Sequence, residues 1–191
     1  MAYEYRLGAS TALAGTVATS GTTAVVGSGT AFDTALQAGD YLTIGAETRI
    51  VATVTDGTHL TVTVAYTPTA SGLSAARVRL ANLETALGLP APHGLFTAYS
   101  QPIGLGNGLV RGAGWQTAEW QWGFISRAHR DLLRAYCPGA SASVYIKTRT
   151  NDSADAFAIY AAKMLWPQQE DPQAGRRLEF SLKFQGLVLW P

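Results

Sequence analysis

From Gly15 to Arg79 the chain repeats one pattern: a short run rich in Thr and Val, then a turn former. β-Branched side chains crowd a helix but sit well on a pleated sheet, so this composition points to strands and turns. The strand candidates are Thr22-Thr-Ala-Val-Val26, Tyr41-Leu-Thr-Ile44, Thr48-Arg-Ile-Val-Ala-Thr-Val54 and His59-Leu-Thr-Val-Thr-Val-Ala-Tyr66. In the last, Leu60, Val62 and Val64 alternate with Thr61, Thr63 and Ala65, which predicts one buried face. Thr55-Asp-Gly-Thr58 supplies an Asp-Gly pair able to take positive φ, so a tight two-residue hairpin turn is expected between Val54 and His59. Phe32-Asp-Thr-Ala-Leu-Gln37 predicts a single helical turn, and Thr67-Pro-Thr-Ala-Ser-Gly72 a loop. Four or five short strands in this stretch predict a small barrel or sandwich, and the boundary of this all-β module is placed at residues 1–80.

Residues 81–191 differ in character, with Trp115, Trp120, Trp122, Trp166 and Trp190 all beyond the boundary. Ala81 to Leu87 reads as a short helix or coil ended by Gly88 and Pro90. A helix is predicted over about 126–137, with Ser126 as N-cap and Pro138-Gly139 as the stop. Ala128, Leu132, Ala135 and Tyr136 are expected to form its apolar stripe, opposite Arg127, Arg130 and Arg134. Strands are expected at 117–124, 142–150, 156–166 and 177–190, the last broken near Gly186, with Leu178, Phe180, Leu182 and Phe184 alternating against Glu179, Ser181 and Lys183. The expected fold is mainly β (α+β): an antiparallel β-sandwich or barrel with one flanking helix, after a small N-terminal all-β module.

Apolar residues make up 47% and charged residues 14%, against about 25% charged in an ordinary domain. With a net charge of +1 as well, such a surface favours association, including self-association. Residues 1–70 hold two basic and five acidic side chains, and 71–191 twelve and eight. That asymmetry could favour head-to-tail contact, although sparse charges are more often solvated surface. No Lys/Arg run forms a nucleic-acid footprint.

Cys137 is the only cysteine, which excludes an intrachain disulfide and fits a reducing compartment. The opening Met-Ala-Tyr-Glu-Tyr-Arg lacks a signal-peptide pattern and no window is apolar enough to span a bilayer, so folding in the cytoplasm without a membrane anchor is expected. Candidate chemistry fails on spacing. Cys137 lies about 11 Å beyond His129 along one helix by helical rise, so the two cannot pair, and Cys137 reads as a core hydrophobe. His59, His93 and His129 have no ligand-spaced partner for a metal, and Glu170-Asp171 sits in a polar loop that offers neither carboxylate burial. Gly104-Leu-Gly-Asn-Gly108 lacks the strand before and helix after that a phosphate cradle needs. No catalytic, cofactor or metal residue is assigned, and an enzyme is not expected. Trp120, Trp122 and Phe124 share one strand face and read as core, while Trp115 is free to serve elsewhere, for instance on a sugar-binding platform.

The segment from Gly15 to Gly45, Gly15-Thr-Val-Ala-Thr-Ser-Gly-Thr-Thr-Ala-Val-Val-Gly-Ser-Gly-Thr-Ala-Phe at its start, with Tyr66-Thr-Pro-Thr-Ala-Ser-Gly72, resembles a small β-module of phage virion proteins. The second half, with Trp120-Gln-Trp122, Leu133-Arg-Ala-Tyr-Cys-Pro-Gly139, Val144-Tyr-Ile-Lys-Thr148 and Phe180-Ser-Leu-Lys-Phe184, resembles the tail tube proteins of long flexible-tailed bacteriophages. The resemblance implies a homo-oligomer of hexameric rings stacked into a tube, contacts with other tail proteins, and DNA passing through without sequence-specific binding. It implies a virion tail location after synthesis in the bacterial host cytoplasm. A tail-tip, baseplate or head–tail joining protein, or a glycan-binding tail module, remains the alternative. Within this reading Gly104, Gly106, Asn107, Gly108, Arg111, Gly112 and Gly114 are expected to form a subunit-interface arm that orders against a neighbouring subunit.

Overall fold

The computed structural model describes residues 4–67, 69–99, 101–104, 109–151, 156–167, 172–173 and 176–190. In chain order the strands are β1 (Arg6–Gly8), β2 (Ser10–Ala12), β3 (Thr16–Ser20), β4 (Ala24–Ser28), β5 (Tyr41–Ile44), β6 (Glu47–Val54), β7 (His59–Val62), β8 (Thr69–Leu73) and β9 (Ala75–Val78). They continue as β10 (Ala81–Asn82), β11 (His93–Thr97), β12 (Gln101–Gly104), β13 (Val110–Ala113), β14 (Thr117–Ser126), β15 (Ser141–Asn151), β16 (Ala156–Leu165), β17 (Pro172–Gln173) and β18 (Arg176–Leu189). Helix α1 is Phe32–Ala35 and α2 is Arg127–Tyr136. The chain is mainly β, and among the described residues every strand pairing is antiparallel.

The chain divides into two compact units, one of them Ala9–Arg79 and the other running to Gly8 and resuming at Leu80. The module expected over 1–80 therefore begins later, because Arg6–Gly8 is a strand of the larger unit. There β1 pairs with β10 (Leu7↔Ala81) on one side and β15 (Leu7↔Ile146) on the other. The smaller unit is thus an insertion between two neighbouring strands of the larger one.

In the inserted unit the strands run β2-β9-β5-β6-β7-β4-β3-β8. Glu47 to Ile50 of β6 pair with β5, whereas Val51 to Val54 pair with β7 across a register shift at Val51/Thr53. A bulge bends a strand, so β6 turns the corner between two halves that enclose Val17, Val25, Phe32, Leu42, Val51, Leu60 and Tyr66. Among the described residues, seven strands, β3 to β9, stand in the stretch where four or five were expected; β3 precedes the first candidate, and β8 occupies the stretch read as a loop. The alternating run also ends early. Leu60 and Val62 are buried, but β7 stops at Val62 and Val64 is exposed. The Asp-Gly hairpin forms with a wider loop than the expected two-residue turn, since Val54 pairs with Leu60 and Gly57 does not take positive φ. Asp56 closes it instead: Thr58 N and His59 N donate to Asp56 Oδ1 at 2.7 and 2.8 Å.

In the larger unit the order is β10-β1-β15-β16-β18-β14-β11, with β17 on β18. The sheet curls until Trp120 Nε1 on β14 donates to Thr148 Oγ1 on β15 at 3.0 Å. Trp120, Trp122, Trp166, Phe180 and Phe184 fill its interior. Four strands and α2 lie within two residues of their expected bounds, and Ser126 Oγ accepts from His129 N at 3.2 Å as the cap. The buried face of α2 is different from the one expected. Leu133 and, just past the helix, Cys137 are buried, while Ala128, Leu132 and Ala135 are exposed. His129, Leu133, Tyr136 and Cys137 also recur at helical spacing, and the small thiol at the end of that row lets the helix settle on the sheet. Phe124 leaves the core as well: burial passes to Ile125, beside Gly123 and the positive φ (56°) of Glu179.

The break at Gly186 is a bulge. Lys163 faces Gln185 but Ala161 faces Val188, so Gly186 and Leu187 together stand opposite Ala162. Gly186 takes φ 61°, the left-handed value such a bulge needs. Its extra residue shifts the inward set from Phe180, Leu182 and Phe184 to Leu187, and leaves Val188 exposed.

Candidate functional site

Two features stand at the end of the larger sheet where β11 leaves and β14 returns. The first is the hairpin. β12 and β13 form a separate two-stranded sheet with Ile103↔Arg111 and Pro102↔Gly112, pairing only with each other among the described residues. Gly104 closes β12 in open space, Arg111 and Gly112 lie in β13, and Gly114 follows at φ 91°. Gly106, Asn107 and Gly108 lie outside the described residues. Glycine at 112 has a local cause: a Cβ there would come within 2.5 Å of the Tyr99 ring, so the ring lies against bare backbone. Ile103 and Leu109 are exposed, as are Tyr99 before the hairpin and Trp115 after it.

The second feature is a groove of about 430 Å³ lined by Trp115, Thr117, Lys163, Gln185 and Gly186. Its polar members form one rung across three strands, Thr117 on β14 opposite Gln185 on β18, and Gln185 opposite Lys163 on β16. Inward alternation of Ala118 and Trp120, of Phe184, and of Ala162 and Met164 turns this rung outward. Past it, Val188 and Leu189 are exposed. Sequence alternation reveals which of these side chains point out, but only strand register brings Thr117, Gln185 and Lys163 together.

The remaining candidates lie apart. Cys137 is buried beneath α2, with Gly139 O at 3.5 Å and Met164 O at 3.9 Å from its sulfur. Burial pushes its thiol up, against a smaller opposing pull from Arg134. His129 is on α2, His93 starts β11, and His59 Nδ1 pairs with Asp56 at 3.0 Å. Among the described residues no three His, Cys, Asp or Glu side chains gather as a metal site, and no helix is long and apolar enough to cross a membrane. Of the glycine-rich Gly104 to Gly108 stretch only Gly104, the last residue of β12, is described, and the next element is strand β13 rather than a helix; Glu170-Asp171 falls outside the described residues. No family model, curated protein or solved structure matches the chain.

Proposed function

We propose that the chain is a structural subunit of a phage tail tube, assembling with copies of itself into stacked hexameric rings around a channel for DNA. The observation that carries this reading is the β12–β13 hairpin, a ribbon with exposed Ile103 and Leu109 that is hydrogen-bonded as its own sheet. Two strands alone are marginal in water, and a neighbouring subunit would supply the surface that stabilises them. Exposed Tyr99, Val188 and Leu189 around its base extend the apolar area, and the charge-poor composition lowers the cost of burying it. In this reading the protein resides in the virion tail and DNA transits without sequence readout, which suits a net charge of +1.

Negative-stain electron microscopy tests the reading. The parent protein is expected to form rings or tubes with a hollow centre. A variant in which residues 101–113 are replaced by a Gly-Gly link is expected to keep its circular dichroism spectrum and remain as single particles. Tubes from that variant, or a parent that stays monomeric at every concentration, would refute the proposal.

A further inference from the structure

We infer that the groove beside Trp115 is a binding site for an anionic saccharide. Three properties of the groove support this, and none depends on the tube reading. Its wall includes an indole 73% exposed to solvent. Aromatic faces take the apolar face of a pyranose ring, and burying that contact recovers area that this side chain now leaves in water. Along its floor the rung Thr117, Gln185 and Lys163 offers a hydroxyl, an amide and an ammonium. Adjacent strands lie about 4.8 Å apart, so the rung spans about 10 Å, the reach of two linked sugar rings. The groove's volume, about 430 Å³, is within the range of small-ligand sites.

Charge selects the ligand class. Lys163 is exposed and makes no ion pair among the described residues. The neighbouring cation, Lys183, one alternation away on β18, has a carboxylate residue across the ladder, Glu119 of β14. Glu119 Oε1 in turn accepts from Gln121 Nε2 at 3.1 Å, which draws that carboxylate away from the rung. A carboxylated sugar would place its ring on Trp115 and its carboxylate at Lys163, with Thr117 and Gln185 between to meet ring hydroxyls. Gly186 completes the fit. The bulge puts a residue without a side chain in the floor, and a Cβ built there meets nothing within 4 Å, so the space above it is open.

The test is saturation-transfer NMR on the full chain with a panel of uronic- and sialic-acid oligosaccharides and their carboxyl-reduced counterparts. At least one carboxylated member is expected to bind, and its reduced counterpart more weakly. Trp115→Ala is expected to weaken that binding at least about tenfold, and Lys163→Gln about threefold, the scale of an exposed ion pair. Lys163→Arg should restore most of the loss. Unchanged thermal unfolding in each variant separates these effects from misfolding. No binding by any panel member, equal binding of the reduced sugars, or binding indifferent to Trp115→Ala would overturn the inference. So would a Trp115→Ala variant whose only defect is in self-association, because the groove would then be a contact between copies of this chain.

Discussion

The two units solve one problem, closing an antiparallel sheet around a core, with different materials. The larger unit does it with rings: Trp120 meets Phe184 at 4.6 Å between centroids, and Trp166 meets Phe180 at 5.6 Å, both edge-to-face. The inserted unit has only Phe32 and Tyr66 as buried aromatics, among Val and Leu. Each large ring buries roughly 150–250 Å², so a core without them must draw on other ties. Polar ones are conspicuous here. Tyr66 Oη donates to Leu42 O at 2.7 Å, and burial raises its phenol pKa. Asp40, 2% exposed, takes Arg79 Nε and Nη2 at 2.8 and 2.7 Å, and also accepts from Gln37 N at 3.0 Å. The lesson is that a small sheet unit leans on specific hydrogen bonds where a larger one can lean on area.

The largest effect should come from the aromatic core. Trp120→Ala is expected to cost the larger unit about 3–5 kcal/mol, from the cavity and from the Thr148 hydroxyl left without its partner. Hydrogen exchange should show the loss in β14, β15 and β18 while β4 to β7 keep their protection. Equal loss in both units would break the separation of the two cores. Next, Arg79→Ala strands the Asp40 carboxylate and should destabilise the inserted unit by about 2 kcal/mol, below the figure for fully buried pairs because Arg79 itself is 39% exposed. Denaturant unfolding followed on the isolated Ala9–Arg79 unit measures it, and a cost below about 0.5 kcal/mol would return the unit's stability to its aliphatic core.

The smallest effect should be the turn at Asp56. Hydrogen bonds, first from Thr58 N and then from the His59 ring, lower its carboxyl from 3.8 to about 2. A depressed folded value means that its contribution is complete above about pH 4 and is lost as pH falls towards 2. Asp56→Ala should therefore be less stable than the parent at pH 7 and converge with it near pH 2. Parallel stability curves through that window would show that the carboxylate does not tie the hairpin.

Local signals were legible in the sequence. Ser126 as cap, the stop at Pro138, the bounds of β14 to β16 and β18, and the punctuation at Gly186 follow from residue chemistry within a few positions. What depends on tertiary register was not. The choice between Leu132 and Leu133 as the buried face of α2 rests on where Trp166 and Met164 come to lie, and period alone allows both. Arg6–Gly8 falls within the 1–80 module as read from sequence until Leu7 is seen between Ala81 and Ile146. At the candidate site the stretch from Gly104 to Gly114 reads as an arm, and the pairing of β12 with β13 is not visible in it; Lys163 joins Thr117 only through a third strand, and no spacing along the chain encodes that.

The insertion has a consequence for what the larger unit can carry. Within the inserted unit Ser10 pairs with Val78, so its two ends are neighbours on adjacent strands. The host hairpin, Leu7 opposite Ala81, therefore closes over a 71-residue passenger whose ends are already brought together, much as it would over an ordinary turn. An unfolded loop would add a closure cost that grows with the logarithm of its length; a passenger folded in this way removes most of it. The β1–β10 hairpin is thus a socket, and any compact domain whose termini lie one strand spacing apart could occupy it without asking the host to refold.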